Sequence, residues 1–449
     1  MRTLVGNHGW ATIAAPGNTG NVADFLVCRL IGSIFICFSA ILSGCHAPLS
    51  ANNSSRVEIT YWRTLTGAAG EGQEELVRRF NNSQNEIHVH CEFQGSYSDL
   101  AAKLFTAAAA GAGPDVTQLG TFEILQFARA GLLVDLKPYF AGPEAINTKD
   151  WPGTISTAGE VEDGLYWLPF NVTVPVLYYN EDAFNAAGLL GPPTTWDDFY
   201  LYARKLTVRD DNGVVREAGV ALWNITWPLI SAIWSEGGKL TTRDYGHITL
   251  DDPVVLKVMT EFQTLVREGA ALLPDEASGG HRAAFKNGRA AMILDSPAAF
   301  QEIFAQAIGF TPMVAAYPAG KNGKVYAPGG GGLVLWAKNP ATNRAAAWRF
   351  LRFMLSAESL AYYSQQTGYA AFTESAQQVM TNDLKDSRFG VIHDGLRFVR
   401  GDFSINMSPS VRNAFDEAFQ KIMVDLADVK TTLMEADAKA EHAIAERGI

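Results

Sequence analysis

The sequence predicts an α/β protein of two domains, and three observations carry that expectation. Strand-like and helix-like patterns alternate from Val57 to Leu119, the order that builds parallel strands with crossover helices. The 449 residues are too many for one compact core and enough for two ordinary domains behind a leader. A composition of 47% apolar and 18% charged residues is that of a globular chain, without the bias of a disordered one.

The elements follow in order. Val57 to Trp62 (VEITYW) alternates apolar and polar side chains, the period of a strand. Glu71 to Phe80 sets Leu76, Val77 and Phe80 on one helical face. Glu86 to Phe93 alternates strictly: Ile87, Val89, Cys91 and Phe93 point one way, Glu86, His88, His90 and Glu92 the other. Ser98 to Ala110 reads as a helix, halted by Gly111, Gly113 and Pro114, and a short strand runs from Asp115 to Leu119. Trp167 to Asn180 (WLPFNVTVPVLYYN) is β-rich but holds Pro169 and Pro175. A strand interrupted by prolines does not belong at the centre of a sheet, so this run suits a segment passing between domains. Thr195, with Asp197 and Asp198 in the first turn, opens a helix. Pro228 to Gly280 is expected to be mostly helical, while Gly288 to Leu294 and Val325 to Trp336 read as strands. Asn343 to Leu355 is a helix with Trp348, Leu351, Phe353 and Leu355 buried. The tail, Ser410 to Arg447, carries a helical apolar stripe through Val411, Phe415, Phe419 and Ile422.

The first segment implies export. Leu30 to Leu42 is an apolar run preceded by Arg29, the size of a signal-peptide core and short of the roughly 20 residues of a membrane span. It ends in Leu42-Ser43-Gly44-Cys45, which resembles a bacterial lipobox and is followed by a polar spacer from Pro48 to Ser55. Residues 1–44 are therefore expected to be a lipoprotein signal peptide and 45–55 a linker. Cys45 would carry lipid on the outer side of the cytoplasmic membrane or in the periplasm. Cys28 and Cys37 fall in the leader, so Cys91 alone remains, and neither an internal disulfide nor a cysteine metal cluster is expected. The 36 basic against 47 acidic residues argue against a nucleic-acid partner, whose binding faces are basic.

Four stretches resemble a known family, the extracellular solute-binding proteins of carbohydrate-type ABC importers, and within it those for glycerol 3-phosphate and glycerophosphodiesters. They are Glu58 to Trp62 with the helix ending Arg79-Phe80-Asn81; Leu168-Pro-Phe-Asn171 with Val176 to Asn180, Ala187-Gly188-Leu189 and Thr195-Trp196; Gly288 to Ile293; and Gly330 to Leu333 with Tyr363 to Tyr369. The resemblance implies a two-lobed periplasmic-binding-protein fold with an interlobe ligand cleft. Lobe one would take residues 56–169 and 330–378, lobe two 170–329 and 379–449. It implies a small polar ligand, ABC permease subunits as partners, a monomer, no cofactor and no enzyme activity.

By that resemblance Trp62, Trp227 and Tyr369 would supply faces for an apolar surface or a choline-like cation. Taken alone, each is more often a core residue. Gly330 and Gly331 would let backbone amides approach an anion, although a permissive crossover loop has the same composition. Arg400, in Val399-Arg-Gly-Asp402, matches the subgroup's phosphate-pairing arginine, a task suited to the guanidinium fork. Arg397 is the alternative register. Thr121, Asn171, Asn224 and Ser296 would orient polyol hydroxyls, in competition with ordinary turn and cap roles.

Catalytic signatures are absent: neither G-x-S-x-G nor H-E-x-x-H occurs, and no G-x-x-x-x-G-K-[ST] phosphate loop. His88 and His90 share one strand face at metal-ligand spacing, but Cys91 points the other way and no further His is nearby, so a solvated face is expected and no metal. Two other readings stay open. A neutral di- or oligosaccharide would use the same aromatics, and a secreted glycoside hydrolase would need two carboxylates across a cleft.

Overall fold

The computed structural model describes residues 56–447, apart from 122, 224–225, 242–247, 276–279 and 401–408. The leader, Cys45 and Asn224 lie outside the described residues.

Strand β1 (Val57–Arg63), β2 (Ile87–Phe93) and β3 (Val116–Gly120) run parallel, linked by helices α1 (Gly67–Ser83) and α2 (Tyr97–Ala109), as the alternation predicts. A capping box starts α2: the Ser96 hydroxyl accepts from the Asp99 amide and the Asp99 carboxylate accepts from the Ser96 amide. Beyond β3 the short helix α3 (Ile124–Arg129) packs Phe127 under the sheet beside Leu100, Leu104 and Trp336.

The proline-bearing run resolves into two strands in different sheets. β4 (Leu168–Thr173) and β5 (Val176–Asn180) are separated by Val174 and Pro175 alone. The remaining strands of the two five-stranded sheets are β6 (Val220–Ala221), β7 (Ala271–Leu272), β8 (Met292–Asp295), β9 (Pro312–Ala316) and β10 (Gly329–Leu335). One sheet has the order β2-β1-β3-β10-β4, the other β7-β6-β8-β5-β9. Pro169 thus sits on an edge strand, where its missing N–H costs no ladder bond. β5 is an interior strand, antiparallel to both β8 and β9, and contains no proline. β10 returns antiparallel between β3 and β4, so the chain passes between the sheets again before Gly329.

Helices cover the second sheet: α4 (Trp196–Lys205), α5 (Trp227–Ser235), α6 (Pro253–Arg267) and α7 (Gly280–Lys286). The segment expected to be mostly helical up to Gly280 also includes β7, whose two residues are too short for any period to register. α8 (Ala341–Met354) buries Ala347, Phe350, Leu351 and Met354, spaced at three and four residues. Phe353, expected inside, is half-buried, because it falls off that stripe. α9 (Ala357–Thr367) packs on α1, whereas α10 (Pro409–Met423) packs on α6 and on α11 (Val429–Arg447). Val411, Phe415, Phe419 and Ile422 are all buried, as the stripe in the tail requires. Among the described residues no helix is long and apolar enough to cross a membrane.

Candidate functional site

A cleft of about 830 Å³ is lined by residues of both sheets and their helices. Its first wall begins where β1 ends. Leu65 takes a left-handed backbone (φ 71°), uncommon for a residue with a side chain, and Thr66 is extended. α1 therefore starts without a side-chain cap and with no acidic residue in its first turn, and Gly67, Ala68 and Ala69 line the cleft. Such a turn presents unpaired amides and the positive end of the helix dipole.

Tyr97, at the first position of α2, is held by a polar chain from the sheet. The Gln118 side-chain oxygen accepts from the Thr64 amide and hydroxyl, at 3.0 and 2.8 Å. Its nitrogen donates to Asn171 Oδ1 at 2.7 Å, and Asn171 Nδ2 donates to the Tyr97 hydroxyl at 3.0 Å. The phenol thus accepts from protein and keeps its own proton to give. Burial pushes its pKa well up, so the proton stays at any physiological pH. Gly330 makes this wall possible. Its φ is +94°, and a Cβ there would fall 1.8 Å from the Asn171 carbonyl oxygen, so β10 can lie against β4 only with glycine.

The second wall is aromatic and charged. Trp223 and Trp227 meet edge-on at 6.3 Å, and the Trp227 indole N–H donates to the Pro328 carbonyl at 3.3 Å. Behind them Asp295 is fully buried. Arg282 grips it with two bonds (2.6 and 3.0 Å), His281 Nε2 lies 2.8 Å away, and the Ser296 amide donates at 2.6 Å. Burial alone would raise the Asp295 pKa; the Arg282 charge, His281 and their hydrogen bonds outweigh it and hold the carboxyl well below the usual range. The other face of Arg282 reaches the cleft and Glu302, at 3.5 Å.

Glu123 and Arg412 complete the lining. Arg412, on α10, donates to Glu123 Oε1 at 3.2 Å, and the second Glu123 oxygen is buried with no hydrogen-bond partner among the described residues. Burial raises the Glu123 pKa, against the opposing pull of Arg412.

Of the residues singled out from sequence, Trp227, Ser296, Gly330 and Tyr369 line the cleft together. Tyr369 stacks on Tyr363 with centroids 5.8 Å apart, and Ser296 Oγ accepts from the Ala298 amide as a cap. Asn171 is fully buried one layer behind, supporting Tyr97. Gly331 pairs with Gly120 and Asn171 in the sheet, outside the lining. Thr121 is buried next to lining Gly120, its hydroxyl without a partner among the described residues. Trp62 packs half-buried against the α2 side of the first sheet. Arg400 lies away from the lining, its guanidinium 4.8 Å over the Trp234 ring, and Arg397 pairs with Asp394.

The residues that sequence reading passed over are Tyr97, Glu123, Trp223, Arg282, Glu302 and Arg412. A signal existed for some of them. Glu123 follows the carboxyl end of a parallel strand, the end where ligands collect in α/β sheets, and Trp223 precedes Trp227 by one helical repeat. Arg412 sits beside Val411 in a stripe read for its apolar members alone.

The described residues therefore define a two-lobed receptor with one well-formed interlobe cleft, a geometry for capture. The chain belongs to the bacterial extracellular solute-binding proteins, whose family profile matches residues 66–361. It is thus a solute-binding component of an ABC importer and not an enzyme. Among its relatives, the sn-glycerol-3-phosphate-binding periplasmic protein UgpB of Rhizobium meliloti is 24% identical over 427 residues, covering 86% of this chain and 94% of that one. Two solved structures share the fold. UgpB of Mycobacterium tuberculosis, in complex with glycerophosphocholine, has a TM-score of 0.78 at 23% identity, covering 87% of this chain and 99% of that one. The GacH receptor of Streptomyces glaucescens, solved unliganded and with acarbose, has a TM-score of 0.73 at 20% identity, covering 87% and 98%.

Proposed function

We propose that the chain captures glycerol 3-phosphate or a glycerophosphodiester in the interlobe cleft and presents it to the permease. One observation carries this reading: the uncapped N-terminal turn of α1 opens into the same space as the guanidinium groups of Arg282 and Arg412, between aromatic walls. Helix amides and guanidinium groups both favour a phosphate. Tyr97, Trp223, Trp227 and Tyr369 offer faces to a glycerol backbone or a choline-like cation. The likeness to glycerol-3-phosphate-binding relatives supports the same ligand class.

A neutral sugar is the second reading, favoured by a specific observation. Both guanidinium groups already face carboxylates, Arg282 with Asp295 and Arg412 with Glu123, so the cleft is not strongly cationic. The aromatic walls and the unpartnered Glu123 oxygen would suit sugar hydroxyls. Calorimetric titration with glycerol 3-phosphate, glycerophosphocholine and maltose separates the two. Saturable heat with the phosphates and none with maltose is expected; the reverse order would overturn the phosphate reading.

We further propose that Cys45 tethers the chain to the membrane through lipid. Cys45→Ala should move the protein from the membrane fraction to the soluble one. Retention in membranes after that change would count against the tether.

A further inference from the structure

We propose that Glu58, His88 and His90 form a binding site for a first-row divalent cation of borderline softness, such as zinc, on the first sheet and independent of the ligand cleft. The strands supply the geometry. His88 and His90 lie two residues apart on β2 and so project from the same side of the sheet. Parallel pairing places Glu58 of β1 opposite His88 and Thr60 opposite His90. Glu58 thereby joins the two imidazoles from a position 30 residues earlier in the chain.

One donor atom from each of the three side chains lies within 4.8 Å of the others. His90 Nε2 and Glu58 Oε2 are already 2.7 Å apart, and the two imidazole rings meet edge-on with centroids 4.8 Å apart. Donors around a tetrahedral zinc, each at about 2.0–2.1 Å, are separated by roughly 3.3 Å. The observed spacings, from 2.7 Å up to no more than 4.8 Å, bracket that separation. The Asn343 side chain donates to the Glu58 carbonyl and ties this part of β1 to α8.

The donor set selects the class of ion. Two imidazole nitrogens and one carboxylate suit zinc, nickel or copper, whereas magnesium and calcium prefer all-oxygen cages. Glu58 and His90 are exposed and His88 half-exposed, so an ion has open access and a water can fill the fourth position. β2 is an edge strand, and an ion bridging it to β1 would clamp the edge of the sheet. The site is remote from the cleft. β1 carries the chain five residues from Glu58 to Arg63, about 17 Å, before the cleft-lining loop begins.

The test uses the untagged chain, stripped with a chelator and titrated with zinc chloride in a calorimeter. One saturable equivalent is expected, together with a raised melting temperature, because an ion bound only to the folded state stabilises it. His88→Ala and His90→Ala should each weaken that equivalent at least tenfold, and the double variant should abolish it. Glu58→Gln should weaken it by a smaller factor. Millimolar magnesium or calcium should not compete. All three side chains are at the surface, so the variants are expected to fold, and circular dichroism checks this. Their affinity for the ligand of the cleft should equal that of the unaltered chain. No saturable equivalent, or an equivalent that survives in the double variant, would overturn the site; competition by magnesium would overturn the assignment to a borderline ion.

Discussion

Arg412→Ala is expected to weaken glycerol 3-phosphate and glycerophosphocholine binding by about thirtyfold to several thousandfold. Truncating one member of a partly buried charge pair typically costs about 2–5 kcal/mol, and each 1.4 kcal/mol is about tenfold in affinity. The Arg412 side chain is 22% exposed, dry enough for the upper part of that range to be reached once ligand fills the cleft. The partner of Arg412 sharpens the prediction. Glu123 competes with an incoming phosphate for the same guanidinium, at 3.2 Å. Glu123→Gln should therefore tighten phosphate binding while Arg412→Ala loosens it. The sugar reading predicts opposite signs: Arg412→Ala near neutral, and Glu123→Gln weaker for maltose, because a hydroxyl acceptor is lost. Calorimetric titration of both variants reads these signs directly. Arg400→Ala is the parallel arm. If the phosphate contact belongs to Arg400, as the family resemblance implies, that variant and not Arg412→Ala will lose affinity.

Asp295→Ala is expected to lower folding stability by about 3–5 kcal/mol, the usual cost of removing one partner of a buried ion pair. The carboxylate is fully buried, takes two bonds from Arg282 and one from the Ser296 amide, and faces His281. Its removal strips Arg282 of its two short bonds and leaves the longer 3.5 Å contact with Glu302 as its carboxylate partner. The pH dependence has a definite sign. A carboxyl whose pKa is lower in the folded state than the unfolded value of about 3.9 contributes stability that is fully present above that value. The contribution is lost as pH falls through the depressed folded pKa. The stability gap between the unaltered chain and the variant should therefore be widest at neutral pH and begin to shrink as pH falls below about 4. Urea unfolding at pH 7 and pH 3.5 measures it, and a gap that widens in acid would refute the ion-pair account. Ligand affinity should also fall in Asp295→Ala, since Arg282 is aimed into the cleft by this carboxylate.

The fold was legible wherever one face of an element is buried and the other is not. β1, β2 and α10 announce themselves because solvent on one side and core on the other impose periods of two and 3.6 on the residues. The prolines of the β4–β5 run pointed to a passage between domains, and Pro175 lies at that joint. β7 left no signal, since two residues carry no period. The cleft was legible only in part. Trp227, Ser296, Gly330 and Tyr369 were reached through family resemblance and not through local pattern. Glu123 and Arg412 were not reached, because 289 residues separate them and only the folded lobes bring them together. Glu58 escaped for the same reason: strand register, invisible in a single stretch of sequence, sets it opposite His88. Pairwise chemistry across the chain is thus what one sequence hides most completely.

Ligand captured between the lobes is expected to close them, a hinge motion of the kind open to this architecture. Small-angle scattering of the chain, with and without saturating glycerophosphocholine or maltose, tests it most directly once calorimetry has identified which of them binds. A smaller radius of gyration is expected in the bound state, and Trp227→Ala should lose that change at the same ligand concentration. A scattering curve that does not change when calorimetry shows the site to be full would contradict it.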